Sequence, residues 1–331
     1  MWDRGGGWAW FWAGTSIALA LMLGGLIWGL TRAQPVAVTP VASVAATPTV
    51  KVGEVVNSGS WKAVVDASHA QGSTTFVDFT IKNDADQAAA LEIPSTAPQR
   101  PRARTASYQE TQIASPPPLE LMLYDRANQA IGGSFVGADG QPSGAYTFLA
   151  APGDAIKLTW AFDVPAGSIE PFALELRFGS QAGGAHARVA LDARAAQPTT
   201  LAPSDVGKVG GKDERVEIGD LWALTATGAE LAGGTLTVHL KAENLTDEAA
   251  VVAAPRGDTT GGDRDFYAVD AAGRMAYSSA DTMPTTRVPA GASRNVDVKL
   301  KAPKDFATTG PYRFSVVVDA TANRYAVFRI G

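Results

Sequence analysis

Apolar side chains recur at every second position in several separate runs of this chain. Val77, Phe79 and Ile81 alternate with Asp78, Thr80 and Lys82. Leu158, Trp160, Phe162 and Val164 form a second row, and Leu174, Leu176 and Phe178 a third. A period of two sends alternate side chains to opposite faces of a strand, so each run predicts a strand with one buried face. Shorter β-prone runs lie at 52–56, 61–65, 119–124, 146–149 and 186–192. Turn formers separate them: Asn57-Ser58-Gly59, a hairpin turn holding His69 and Gly72, Asn83-Asp84-Ala85-Asp86, residues 125–129, and Pro152-Gly153-Asp154. Outside residues 8–30 no stretch sustains the 3.6-residue apolar period of a helix.

The pattern occurs twice. At an offset of 161, Trp61 falls on Trp222, Gly72 on Gly233, Asn83 on Asn244 and Asp86 on Asp247. Leu236, Val238 and Leu240 take the places of Val77, Phe79 and Ile81. Val296, Val298, Leu300 and Ala302 take those of the second row, and Phe314, Val316 and Val318 those of the third. The offset falls to 138 at Pro303 against Pro165, because the first copy carries longer loops. Each copy predicts about seven to nine strands, which makes an all-β chain of two tandem antiparallel β-sandwiches. The first is expected at 51–192 and the second at 206–331, joined by a linker at 193–205.

Residues 8–30 carry no charge. As a helix they would span roughly 35 Å, enough for a hydrocarbon core of about 30 Å. Trp8, Trp10 and Trp12 at one end and Trp28 at the other suit the two membrane interfaces. The stretch predicts a transmembrane helix behind a short cytoplasmic head at 1–7. It is followed at 31–50 by an extended spacer with Pro35, Pro40 and Pro48. Thr31-Arg32-Ala33 offers a cleavage site, but the apolar run is longer than a signal-peptide core of about 7–15 residues, so an uncleaved anchor is expected. The bulk of the chain would then lie outside the membrane, with the N-terminus inside. Gly25 and Gly29 have the spacing that permits close pairing with another membrane helix.

Composition narrows the chemistry. The chain has no cysteine, which excludes disulfides, thiol catalysis, Cys-bound zinc and a lipid-anchored cysteine. A formal charge of −5 gives no general attraction for nucleic acid. His69, His186 and His239 fall in different elements at spacings that match no metal motif, and no catalytic or phosphate-binding signature appears. Acidic residues and glycines at 257–265 could gather around calcium, yet Arg264 opposes this and an exposed loop is the simpler expectation. Trp61 and Trp222 are expected to fill the cores, and Asn83 and Asn244 to make turns. Residues 94–118 hold six prolines and the basic cluster Arg100, Arg102 and Arg104, a surface loop with three guanidinium groups for an acidic partner. No catalytic residue, metal ligand or cofactor site is assigned.

Several of these landmarks resemble the immunoprotective extracellular immunoglobulin-like superfamily, found in bacterial lipoproteins and anchored proteins. In the first copy they are Val52-Gly53, Trp61, Lys82-Asn83 with Asp86, Pro152-Gly153 and Val164-Pro165. In the second they are Val206-Gly207, Trp222, Glu243-Asn244 with Asp247, Ala290-Gly291 and Ala302-Pro303. The resemblance implies immunoglobulin-like sandwiches outside the bacterial cytoplasmic membrane, with no catalysis. The expected function is binding or structural support in the cell envelope, with the membrane and another envelope protein or surface polymer as partners. An accessory or sensory subunit pairing through its membrane helix is the alternative; a metal-binding protein or enzyme is a more distant one.

Overall fold

A computed structural model describes residues 49–93, 119–125, 130–136, 146–164, 173–178, 185–254, 265–278, 281–320 and 322–331. The expected membrane span with Gly25 and Gly29, and the arginine cluster at 100–104, lie outside these residues. The chain divides into Met1–Ala46 and a compact unit, Thr47–Gly331, which holds both halves of the duplication.

All regular structure among the described residues is strand. The first lobe contains β1 (Thr49–Val52), β2 (Val55–Ser58), β3 (Trp61–Gln71), β4 (Thr74–Asn83), β5 (Ala89–Ile93), β6 (Leu119–Tyr124), β7 (Ala130–Val136), β8 (Tyr146–Ala150), β9 (Ala155–Phe162), β10 (Ala173–Phe178) and β11 (Ala185–Arg194). The second contains β12 (Val209–Gly210), β13 (Arg215–Ile218), β14 (Trp222–Ala232), β15 (Thr235–Asn244), β16 (Ala250–Val251), β17 (Asp265–Val269), β18 (Met275–Tyr277), β19 (Arg287–Val288), β20 (Ser293–Lys301), β21 (Tyr312–Asp319) and β22 (Arg324–Ile330). That is more strands per lobe than the alternation predicts, because strands of two to four residues are too short to show a period.

The two lobes have one topology. The first orders its strands β1-β11-β10-β6-β7-β9-β4-β3-β2, and the second repeats this as β12-β22-β21-β17-β18-β20-β15-β14-β13. In the first lobe β7 pairs with β6 at its start and with β9 at its end, so the sheet folds over into a sandwich-like pair of layers. Even the irregularities repeat. The β3–β4 ladder bulges at Asp66 and the β14–β15 ladder at Thr227, the same place at an offset of 161.

That bulge corrects one expectation. It breaks the alternation after Val65, yet β3 continues to Gln71, so His69 sits in the strand opposite Phe76 and not in the turn. A second correction concerns Val206-Gly207. The Gly53 N–H bonds the Val65 carbonyl, and the matching bond in the second lobe comes from Asp213 to Ala226. Asp213 takes the same positive φ (64° against 89°), so Lys212-Asp213 is the structural counterpart of Val52-Gly53. The counterpart is shifted because four residues separate β12 from β13 where two separate β1 from β2.

Inward rows fill the cores as the alternation predicts. Val77, Phe79, Ile81, Trp160 and Phe162 are buried in the first lobe, and Leu236, Val238, Leu240, Val298 and Leu300 in the second. Trp61 and Trp222 are core residues, and the Trp222 indole donates to the Ala254 carbonyl at 2.9 Å. Asn83 and Asn244 are fully buried. Each side-chain amide donates to two carbonyls, Gln87 and Ala150 in the first lobe, Glu248 and Val288 in the second. Each amide oxygen accepts an N–H two residues on, from Ala85 and Thr246. A buried amide so saturated ties the end of one strand to a neighbouring ribbon.

Candidate functional site

The departure from a pair of independent lobes is at their junction. Strands β17 and β21 are buried on both faces. Phe266, Ala268, Phe314 and Val316 point into the second lobe's core, while Tyr267, Val269 and Val317 join the core of the first. The aromatic rings of Tyr267 and Phe148 meet across the junction at 5.0 Å.

A polar hub lies inside this apolar contact. Asp154, immediately before β9, has a fully buried side chain. Its carboxylate accepts from the Arg313 guanidinium and the Tyr267 hydroxyl, and from Ser315 Oγ at 2.7 Å. Arg313 also donates to the Pro152 carbonyl and to Asp205, at 3.0 and 2.9 Å. Tyr267 Oη accepts the Ala151 N–H, and Asp265 accepts the Leu149 N–H at 2.7 Å. A buried charge in this setting is stable because both carboxylate oxygens find donors, one of them a cation. Burial, then the negative charge of Asp154, pushes the Tyr267 phenol well above its usual range.

Residues 195–204, expected as a linker, are bonded to the first lobe. The N–H groups of Ala195, Thr199 and Ser204 bond the carbonyls of Val52, Gly53 and Gly153. Gly153 requires its glycine twice over: φ is +76°, and a Cβ would lie 2.1 Å from the Ser204 carbonyl oxygen.

Beside the hub a cleft of about 190 Å³ opens between the lobes. Phe135, Leu158, Met275 and Tyr277 line it, with Lys157 and Arg274 contributed from opposite sides. The two cations are in register because the Lys157 N–H bonds the Gly273 carbonyl, a parallel bridge between the lobes. Arg274 is held by Asp270 at 2.7 Å and reaches Asp305 at 3.4 Å. Asp78 accepts from Thr159 at 2.6 Å. Nearby, burial raises the Asp66 carboxyl above the usual range, against the opposing hydrogen bond from Thr80 and the charge of Lys157.

The sequence candidates do not converge on this cleft. His69 stacks on Phe76 and lies 3.7 Å from Asp78. His239 pairs with Asp297 at 2.7 Å on the exposed face of the second lobe, where Thr227 donates its hydroxyl to the His239 backbone carbonyl. His186 lies in β11. Of the acidic loop, residues 257–264 fall outside the described residues, while Asp265 is buried in the junction. Among the described residues no three His, Asp or Glu side chains gather as a metal site. The junction residues Asp154, Tyr267 and Arg313 were missed by pattern reading. Their one signal was Arg313 and Ser315 interrupting a strand otherwise rich in Phe and Val.

The chain matches no protein-family model and no curated protein.

Proposed function

We propose that the chain is a membrane-anchored, extracytoplasmic protein of two tandem immunoglobulin-like sandwiches, with a non-catalytic binding or structural role in the bacterial cell envelope. The observation that carries this reading is the junction. Two copies of one fold share a buried polar hub and a common apolar contact, so they form a single compact body suited to presenting surfaces at a fixed spacing. The uncharged stretch at 8–30 supplies an anchor, and the spacer at 31–50 separates it from the folded body. The duplicated landmarks around Trp61 and Trp222 support the immunoglobulin-like assignment.

The test is topology and location of the full chain in a bacterial host. An alkaline phosphatase fusion at the C-terminus is expected to be active, a cytoplasm-dependent fluorescent fusion dark, and the protein to stay with membranes washed in carbonate. Cytoplasmic fluorescence or release by carbonate sinks the membrane reading. Hydrolysis of an envelope polymer or ester by the purified chain, abolished by a point substitution, sinks the non-catalytic one. If loss of co-purifying proteins follows Gly25→Leu or Gly29→Leu, pairing through the membrane helix replaces display by the lobes as the function.

A further inference from the structure

β9 and β20 are the same strand of the duplicated fold, flanked on one side by β4 and β15. The bonds from Asn83 to the Asp154 carbonyl and from Asn244 to the Ala292 carbonyl set their phase. Even-numbered residues of β9 and β20 bond towards β4 and β15, so odd-numbered ones turn their N–H and C=O groups to the opposite edge.

In β9 that edge is filled. Its residues from Thr159 to Phe162 lie beside β7, and Lys157 bonds to Gly273 of the second lobe. In β20, Lys301 alone has a ladder neighbour on that side among the described residues, Tyr277. β18 has three residues where β7 has seven. Ser278, after Tyr277, stays with β17 through the Phe266 carbonyl. The backbone groups of Asn295, Asp297 and Lys299 therefore point off the sheet, on exposed residues, with no partner among the described residues.

Such an edge is a template for one more strand. The molecule already uses the equivalent edge of the first lobe this way, with Gly273 and Arg274 as the added segment. The outward rows of β15 and β20 hold Lys241, Lys299 and Lys301 against Asp297 and Glu243, and Glu243 is engaged by Arg215. Asp297 is engaged by His239, while Lys241 and Lys299 have no ion pair among the described residues.

We propose that β20 is a docking edge for an extended segment of a partner protein with acidic side chains on its outward face, added as the next strand of the second lobe. This deepens the envelope-binding reading and rests on it only for where the partner is met.

The test uses the full chain in detergent and a fluorescein-labelled peptide alternating valine and glutamate, read by fluorescence anisotropy. The same peptide N-methylated at alternate residues, and one with lysine for glutamate, are the controls. The glutamate peptide is expected to bind and the N-methylated one to fail. Asn295→Pro removes an outward N–H without touching the β15 ladder and should weaken binding about tenfold at unchanged melting temperature. If its melting falls, the N-methylated peptide decides alone. Lys299→Glu should weaken the glutamate peptide and favour the lysine one. Equal binding of the N-methylated peptide, absence of binding by the glutamate peptide, or a wild-type dimer that Asn295→Pro dissolves would each overturn the proposal. The assay uses isolated protein, so an error in membrane topology leaves its result unchanged and the two readings fail separately.

Discussion

Residues 149–154 of the first lobe and 287–292 of the second occupy the same place in the same fold. The first stretch is covered by the second lobe, and Asp154 is buried at its end. The second stretch is exposed at Arg287, Pro289, Ala290 and Gly291, and Ala292 stands where Asp154 would be. The opposing faces differ in the same way. Tyr267, Arg313 and Ser315 reach into the junction, and the ladder registers place Met122, Ala173 and Glu175 at those positions in the first lobe. One copy carries a receiving loop and the other an inserting face, so the pair closes on itself. In two-lobe arrays the terminal faces must be compatible with solvent, which explains why the hub chemistry occurs once among the described residues.

The comparison breaks most readily at Asp154. Asp154→Ala takes the buried carboxylate from Arg313, Tyr267 and Ser315, leaves Arg313 only the half-exposed Asp205, and is expected to cost about 3 kcal/mol. Calorimetry should then show the lobes unfolding in two transitions. Ala292→Asp at the matching half-buried place, which the other lobe does not cover, should change stability by only about 1 kcal/mol. Equal effects would mean that the junction does not couple the lobes.

Gly153 and Gly291 offer the next contrast. Both have positive φ, but a Cβ at Gly291 meets nothing within 4 Å. Gly153→Ala should cost about 3 kcal/mol by chemical denaturation, from strain and the displaced Ser204 carbonyl. Gly291→Ala should cost about 1 kcal/mol, from backbone conformation alone.

Asn83→Ala and Asn244→Ala sharpen the comparison from the other side, because here the lobes agree. Asn83→Ala removes three hydrogen bonds from a buried site and Asn244→Ala four, the extra one from the Thr246 hydroxyl, and each is expected to cost about 2 kcal/mol. A large difference between them would show that the shared geometry hides unequal energetics.

Two smaller effects depend on pH. The Tyr267 phenol is raised in the folded protein by burial and by Asp154. Its stabilising contribution is fully present below the unfolded value of about 10 and is lost as pH rises towards the folded one. Tyr267→Phe should lower stability at neutral pH by about 1 kcal/mol and flatten the alkaline decline in denaturation midpoints. A decline as steep as wild type's would place the sensitivity elsewhere. The smallest effect is at the shared bulge, where the first lobe has Asp66 and the second Thr227. Burial raises the Asp66 carboxyl, so its contribution is present below the unfolded carboxylate value and lost as pH rises through the folded one. Asp66→Asn should therefore gain on wild type across the acidic range towards neutral pH, by less than about 1 kcal/mol because the group is partly solvated. Constant separation of the two stability curves between pH 3 and pH 7 would count against a raised carboxyl.

Much of the architecture is legible without coordinates, and for a definite reason. Period-two alternation in Val77 to Ile81 and Leu236 to Leu240 reports a sheet face that must be buried, wherever the sheet sits. Turn chemistry at Asn83 and Asn244 is equally local. The cleft is not legible, because Lys157 and Arg274 are far apart in the chain and are brought together by a backbone bond to Gly273. His69 was misplaced for the converse reason: a single bulged residue at Asp66 hides the continuation of β3.

The sequence by itself determines an all-β chain with a fold used twice, because each strand's inward row must leave water whatever the neighbours do. Which faces meet is decided only in three dimensions. Asp154 reads as an ordinary turn carboxylate until Arg313, Tyr267 and Ser315 arrive from the other lobe. The edge of β20 that carries little pairing among the described residues is likewise invisible in its alternating sequence, since a strand paired on one edge and one paired on both bury the same face. Long-range pairing sets both, and no local period records it.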